Sequence, residues 1–334
     1  MSSGARQIGV IGAGSWGTAL AIQLARCGSR VLLWGRDPRQ IAHMAGEREN
    51  ARYLPGCPFP DGLTPEGDLD GLLRDCRDLL VAVPSDAFRE TLVRVRRGLR
   101  PDTRVAWGTK GLELSSGLLA HEVAGEVLGR DIPVAVLSGP TFAGEVARGL
   151  PAAITVAATD REFAFDLAQR LYDGRFRAYT SQDMPGVEVG GAVKNVMAIA
   201  AGISDGLRFG ANARAALITR GLAEIMRLGT ALGGELKTFM GLAGLGDLVL
   251  TCTDDQSRNR RMGLALAAGR GADQARARIG LVEGVHAARA VWEKARSRGV
   301  EMPITEHVYR VLYEGMAPRE AVESLTTGEP KQEL

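Results

Sequence analysis

Cysteine is scarce in this 334-residue chain, with only Cys27, Cys57, Cys76 and Cys252 scattered along its length. None forms a CxxC pair or stands with a histidine at metal-ligand spacing, so no structural zinc or other metal site is expected, and a reducing, cytoplasmic setting is the default. Net charge is nearly lacking too. A balance of +2 gives no bulk pull toward nucleic acid or an anionic membrane, though it leaves room for a local anion site. Long apolar runs are missing as well; those present are short and rich in glycine, so no membrane insertion is expected. The opening MSSGARQ leads straight into a strand without a signal-peptide pattern. There is no repeat at solenoid spacing and no low-complexity tract, and only the tail, residues 326–334, reads as unstructured. What is there is an ordinary globular composition, 45% apolar and 24% charged, in a chain long enough for two domains.

The first half alternates. A short apolar strand over 7–11 runs into Gly12-Ala13-Gly14-Ser15-Trp16-Gly17, followed by a helical pattern over 18–27 and a second strand over 30–34. A lone GxGxxG is weak evidence, but between a strand and a helix it is strong. Gly12, Gly14 and Gly17 let the backbone turn tightly and approach a pyrophosphate, whose charge then meets a helix N-terminus. The second strand ends Trp34-Gly35-Arg36-Asp37. An NAD-selective site usually places an acid here for the ribose 2′-hydroxyl, whereas Arg36 suits a 2′-phosphate. Asp37 could pair with Arg36 or cap the helix opened by Pro38, so NADPH is favoured and NADH stays open.

Residues 50–63, rich in proline and glycine, read as a loop. Further strands are expected over 78–83, 105–107, 134–137, 153–157 and 176–180, with helices over 88–97, 117–128 and 161–172 between them. This is the pattern of a doubly wound, mostly parallel α/β sheet, a Rossmann domain over residues 1–186. Ligands of such sheets lie at the C-terminal ends of the strands, where Lys110, Ser138, Gly139 and Thr141 fall. Lys110 reads either as a solvated loop lysine or as an anion contact.

Past residue 186 the alternation stops, and helices are expected over 187–204, 212–232, 236–242, 257–268, 282–298, 303–314 and 318–324. Residues 187–334 therefore read as an all-α domain. Its first helix is apolar on every side, as a buried helix is, yet carries Lys194 and Asn195 in the middle. A buried ammonium needs a partner. Either Lys194 reaches the surface or closes a structural ion pair, or it lines a cleft and does chemistry. Two further stretches stand out. The glycine-rich run 241–247 ends in Asp247, which either caps the next helix or serves the site. Ser257-Arg258-Asn259-Arg260-Arg261 is either a solvated basic face or a phosphate cradle made of a hydroxyl, an amide, a guanidinium and a helix N-terminus.

These motifs together, GVIGAGSWGTALA, YLPG, GTKGLE, LSGPTFAGEVA, VGGAVKNVMAIAAGISDGL, GLAGLGDLVLTC, SRNRRMG and VEGVHAA, run in order over nearly the whole length. The chain resembles the bacterial-type NAD(P)-dependent sn-glycerol-3-phosphate dehydrogenases. The resemblance implies reversible reduction of dihydroxyacetone phosphate to sn-glycerol 3-phosphate, which supplies phospholipid synthesis. It implies cofactor contacts at Ser15, Trp16, Arg36, Lys110, Ala143, Arg258, Leu281 and Glu283. It places substrate contacts at Lys110, Gly139, Thr141, Asp247, Ser257, Arg258 and Asn259, with Lys194 as proton acceptor. Thr141 stands where many relatives carry serine and keeps the hydroxyl.

Reduction of a ketone needs a hydride on carbon and a proton on oxygen. Lys194 as an ammonium can stabilise the developing alkoxide and deliver the proton. An apolar surround would lower its pKa and a nearby carboxylate, with Asp247 the candidate, would raise it. Rival readings are a dehydrogenase of 3-hydroxy acids, 6-phosphogluconate or a nucleotide sugar, and a non-catalytic NAD(P)-binding module. The first leaves the paired GTKG and SRNRR stretches unexplained, and the second leaves the lysine unexplained. A homodimer follows from base rates alone.

Overall fold

The computed structural model describes residues 7–326, so most of the tail expected to lack structure lies outside the described residues. The chain forms two compact units: residues up to Lys110 with Ala120–Met184, and Gly111–Leu119 with the residues from Pro185 onward. A single division after residue 186 misses the excursion at Gly111–Leu119. Leu112 and Leu119, 3% and 2% exposed, are part of the helical unit's core.

The first unit is an eight-stranded sheet in the order β3-β2-β1-β4-β5-β6-β7-β8. Its strands are β1 (Ile8–Ile11), β2 (Val31–Trp34), β3 (Leu63–Glu66), β4 (Asp78–Val81), β5 (Arg104–Trp107), β6 (Val134–Ser138), β7 (Ala152–Ala158) and β8 (Phe176–Ser181). All neighbours are parallel except β6 and β7. Every residue of β1, β4 and β6 is buried, as expected of strands covered on both faces, and this is why they read as unbroken apolar runs. β3 went unforeseen. It is an edge strand, LTPE, with one buried residue and a proline that no central strand would tolerate. The helices are α1 (Ser15–Arg26), α2 (Pro38–Glu47), α3 (Leu69–Asp75), α4 (Ser85–Arg96), α5 (Ala120–Leu128), α6 (Ala143–Ala147) and α7 (Arg161–Leu171). The chain order reverses between β1 and β4, and the glycine turn follows β1 at that switch point.

The second unit carries no strand among its described residues. It comprises α8 (Met184–Gly206), α9 (Gly210–Ala231), α10 (Leu236–Phe239), a π-helical turn (Leu242–Gly246), α11 (Asp247–Thr253), α12 (Arg258–Ala267), α13 (Ala272–Ile279), α14 (Glu283–Ser297), α15 (Pro303–Tyr313) and α16 (Pro318–Thr326). α8 is its axis: Val189, Val193, Val196, Met197 and Ile199 are wholly buried. By length and composition α8 could cross a membrane, so the apolar run is not too short; instead the helix is enclosed on all sides within the fold. Glycine makes close packing around it feasible. A Cβ on Gly190 would overlap the Ala243 carbonyl, one on Gly202 the Arg260 carbonyl, and one on Gly263 of α12 the Ile199 carbonyl. Gly190 thus serves the approach of backbone to backbone.

Candidate active site

In the first unit the glycine turn has a division of labour. Gly12 has φ +122°, and a Cβ there would sit 2.5 Å from the Ala82 carbonyl oxygen. Gly17 has no room for a Cβ against the Gly12 carbonyl, so it closes α1 onto the turn. Gly14 differs, with no heavy atom within 4 Å of where a Cβ would be. Packing does not explain that glycine, whereas backbone approach by a ligand does. Gly14 is also the N-cap of α1 and offers no capping side chain, so the first-turn N–H groups from Ser15 on have no side-chain acceptor. Trp16 Nε1 is buried without a hydrogen-bond partner among the described residues. An open glycine and an uncapped helix start fit a dinucleotide pyrophosphate.

The turn is braced by residues that the sequence did not single out. Asn50, 1% exposed, donates to the Ala13 carbonyl (3.0 Å) and to Thr18 Oγ1 (2.8 Å), and Gln40 donates to the same carbonyl (2.9 Å). At the end of β2, Asp37 caps α2, accepting from the amides of Arg39 (3.0 Å) and Gln40 (3.4 Å), and lies 3.6 Å from Arg52. Its carboxylate is therefore occupied by the helix, while Arg36 is exposed.

Lys110 follows β5, and its Nζ lies 3.4 Å from the Gly139 carbonyl, to which it donates, and 6.0 Å from the centre of the Trp16 ring. The same carbonyl accepts from Thr141 Oγ1 at 3.1 Å. Beside them Ser138 Oγ is buried without a hydrogen-bond partner among the described residues. Ala143 opens the short helix α6 just beyond. Trp16, Lys110, Gly139 and Thr141 are thus brought together from the start of α1 and the loops after β5 and β6.

In the helical unit Lys194 is 7% exposed and does not reach the surface. Its ammonium donates to Asp247 Oδ1 at 2.6 Å and to Thr251 Oγ1 at 3.0 Å. Asp247 does not cap a helix that begins after it. It is the first residue of α11, and the π-helical turn before it aims its carboxylate at α8. Thr251, one turn on, donates to the Asp247 carbonyl at 2.6 Å. Thr251 was not anticipated, because its i, i+4 relation to Asp247 becomes visible only once that stretch is known to be helical. Cys252 lies next to it, and burial pushes its thiol up to about 12, so it takes no part as a thiolate.

The basic run resolves into distinct parts. Ser257 caps α12, its Oγ accepting from the Arg260 amide at 3.2 Å. Asn259 is 7% exposed; its Nδ2 donates to Asn195 Oδ1 and its Oδ1 accepts from the Gly284 amide, both at 2.8 Å. Asn195 in turn donates to Glu283 Oε2 at 3.4 Å. The two asparagines thus tie α8, α12 and the start of α14 together beside Lys194. Arg260 is buried against Asp205 and contradicts a simple solvated face. Burial works against its charge, but the hydrogen bond to Asp205 prevails and raises its pKa. Arg258 alone of the three central residues is exposed, as is Leu281.

Comparison with known proteins agrees with this arrangement. Residues 7–164 match the family model described as NAD-dependent glycerol-3-phosphate dehydrogenase N-terminus, and residues 183–323 match that of its C-terminus. The chain is 58% identical over 325 residues to the glycerol-3-phosphate dehydrogenase (NAD(P)+) of Nitrosococcus oceani, covering 97% of this chain and 94% of that one. It is 55% identical over 328 residues to the enzyme of the same name from Tolumonas auensis, covering 98% of each. The crystal structure of glycerol-3-phosphate dehydrogenase from Coxiella burnetii superposes with a TM-score of 0.94 at 49% identity, covering 97% of this chain and 99% of that one. With the glycine turn, the paired lysine and the capped basic helix each lying within these matches, the chain belongs to the NAD-dependent glycerol-3-phosphate dehydrogenase family.

Proposed function

We infer that the chain reduces dihydroxyacetone phosphate to sn-glycerol 3-phosphate, reversibly, using a nicotinamide cofactor. The observation that carries the reading is Lys194, a buried ammonium held by Asp247 and Thr251 in the core of a family member. A bound nicotinamide supplies the hydride. The chain's own residues do the rest. Lys194 donates a proton to the substrate oxygen on reduction and accepts it on oxidation; Asp247 balances its charge and Thr251 fixes its direction. Lys110, Gly139 and Thr141 offer polar groups to the hydroxylated end of the substrate.

Arg258 and the α12 N-terminus take the phosphate, whose binding energy aligns the carbon that reacts. Ser257 and Asn259 support that grip mainly through the cap and the asparagine pair, since both are committed to internal hydrogen bonds. Gly12, Gly14, Ser15, Trp16 and Gly17 cradle the pyrophosphate, and Ala143, Leu281 and Glu283 complete the cofactor contacts.

NADPH is preferred to NADH, because Asp37 is engaged as a helix cap and Arg36 is exposed to meet a 2′-phosphate. The enzyme works in the cytoplasm as a homodimer, does not insert into a membrane and binds no nucleic acid; the free cysteines and the enclosed α8 support the setting.

Oxidation of NADPH and of NADH is followed with dihydroxyacetone phosphate and with a panel of 2- and 3-oxo acids. Turnover confined to dihydroxyacetone phosphate, faster at low NADPH than at low NADH, is expected. Turnover on an oxo acid instead points to a different dehydrogenase on the same fold, and cofactor binding without turnover points to a binding module.

A further inference from the structure

Among the described residues Arg260 is the one arginine that is buried, and its contacts are unusual. Arg260, 9% exposed, donates through Nη1 to Asp205 Oδ2 and to the Cys252 carbonyl (3.2 Å), and through Nε to Asp255 Oδ1 (2.9 Å). Asp205 is on α8, the helix of Lys194. Cys252 follows Thr251 on α11, the helix of Asp247. Arg260 itself lies in the first turn of α12, two residues beyond Arg258. Asp205 also receives Arg214 of α9 at 2.8 Å. A single planar fork therefore joins the three helices that carry the proposed proton donor, its carboxylate and the phosphate grip.

The backbone repeats the connection. The carbonyl of Arg260 fills the space above Gly202, and Gly263 rests on the Ile199 carbonyl, so at this crossing α12 meets α8 backbone to backbone. Two polar links hold α12 against a slide along α8: the Asn259–Asn195 bond at 2.8 Å and the Asp205–Arg260 pair. The Asp205–Arg260 pair joins the C-terminal end of α8 to the first turn of α12, where a slide would carry Arg258 with it.

We propose that Arg260 and Asp205 are positioning residues for the phosphate-binding turn, holding Arg258 and the α12 N-terminus in register with Lys194. The pair contributes specificity for a phosphorylated substrate without touching it. This rests on the reading of the α12 N-terminus as the phosphate site. A lysine at 260 keeps one charge but cannot reach Asp205, Asp255 and the Cys252 carbonyl together, which only a fork does.

The test compares kcat/KM for dihydroxyacetone phosphate with that for unphosphorylated dihydroxyacetone, at saturating NADPH, in Arg260→Lys, Asp205→Asn and Arg258→Ala. Because a displacement of about 1 Å costs on the order of 100-fold, Arg260→Lys and Asp205→Asn should lose roughly 10- to 100-fold on the phosphorylated substrate and less than about threefold on the other. Should either fail to fold, Asp205→Asn with Arg260→Gln removes the two buried charges together, and the partners they release, Arg214 and Asp255, are the more exposed ones. Equal losses on both substrates assign Arg260 to the scaffold alone and overturn the proposal. A phosphate-specific loss in Arg258→Ala with none in the Arg260 and Asp205 variants overturns it too, while sparing the phosphate site. No phosphate-specific loss in Arg258→Ala overturns the phosphate site, and this proposal with it.

Discussion

Lys194 Nζ lies 2.6 Å from Asp247 Oδ1, and the two side chains retain only 9% and 2% of their exposure. Such a pair serves stability and chemistry at once, and the two can be separated. Removing one partner of a buried ion pair typically destabilises by about 3–5 kcal/mol, because the other is left uncompensated. Loss of a general acid costs on the order of 10²–10⁴ in rate. Lys194→Ala should therefore lower both the unfolding free energy and kcat. Lys194→Met with Asp247→Leu should regain most of the stability and none of the turnover. Denaturant unfolding and steady-state assays check this, and near-normal kcat in Lys194→Ala removes the lysine from the mechanism.

Arg36 is exposed beside a β2 end whose acid is already engaged in capping α2. A charge-assisted hydrogen bond contributes about 1.5–3 kcal/mol, or roughly 10- to 100-fold in affinity. Arg36→Ala should raise the KM for NADPH by that factor and leave the KM for NADH nearly unchanged. Equal effects on the two cofactors would place Arg36 away from the 2′-phosphate.

Glu224 of α9 caps α15, accepting from the amides of Ile304 (2.6 Å) and Thr305 (3.1 Å) and from Thr305 Oγ1 (2.9 Å). Burial raises its pKa from 4.5 to about 7, against the pull of those donors. A raised carboxyl pKa means that the folded state holds the proton more tightly than the unfolded chain. The stabilisation is complete below about pH 4.5 and is lost as pH rises through about 7. Between pH 5 and pH 9 the wild type should lose about 3 kcal/mol relative to Glu224→Gln. Parallel pH profiles of thermal unfolding for the two proteins contradict this.

Gly263 lies where α12 crosses α8, and a Cβ there would overlap the Ile199 carbonyl. Overpacking of this kind costs about 1–3 kcal/mol. Gly263→Ala should lower the melting temperature, whereas Gly46→Ala, with nothing within 4 Å of its Cβ position, should not.

Much of the sheet unit was legible because its strands are short apolar runs separated by turn chemistry, and the glycine turn announces β1 and α1 together. β3 was not, since a two-sided edge strand containing Pro65 carries no such signal. In the helical unit α8 and α9 stood out by length, while α11 and α13 were hidden. Glycine breaks up the sequence before Asp247, and α13, eight residues with only Ala275 buried, has no apolar stripe to betray it. Lys194 was conspicuous as a charge in an apolar helix. Of its partners Asp247 was a candidate, whereas Thr251 is an ordinary polar residue until the helices are packed. Arg260 looked like one more solvated arginine, because a sequence does not show which member of a basic run finds a buried carboxylate.

The excursion at Gly111–Leu119 has a consequence for how the protein comes to be folded. Leu112 and Leu119 leave the ribosome before β6, β7 and β8, yet the core they enter is not synthesised until α8 and the helices beyond it appear. The nascent sheet unit must therefore carry an unburied apolar segment through the making of its last three strands. A fragment that starts at Pro185 would lack both leucines. The two units are separate as compact bodies but not as pieces of chain, and neither can be expressed whole by cutting once.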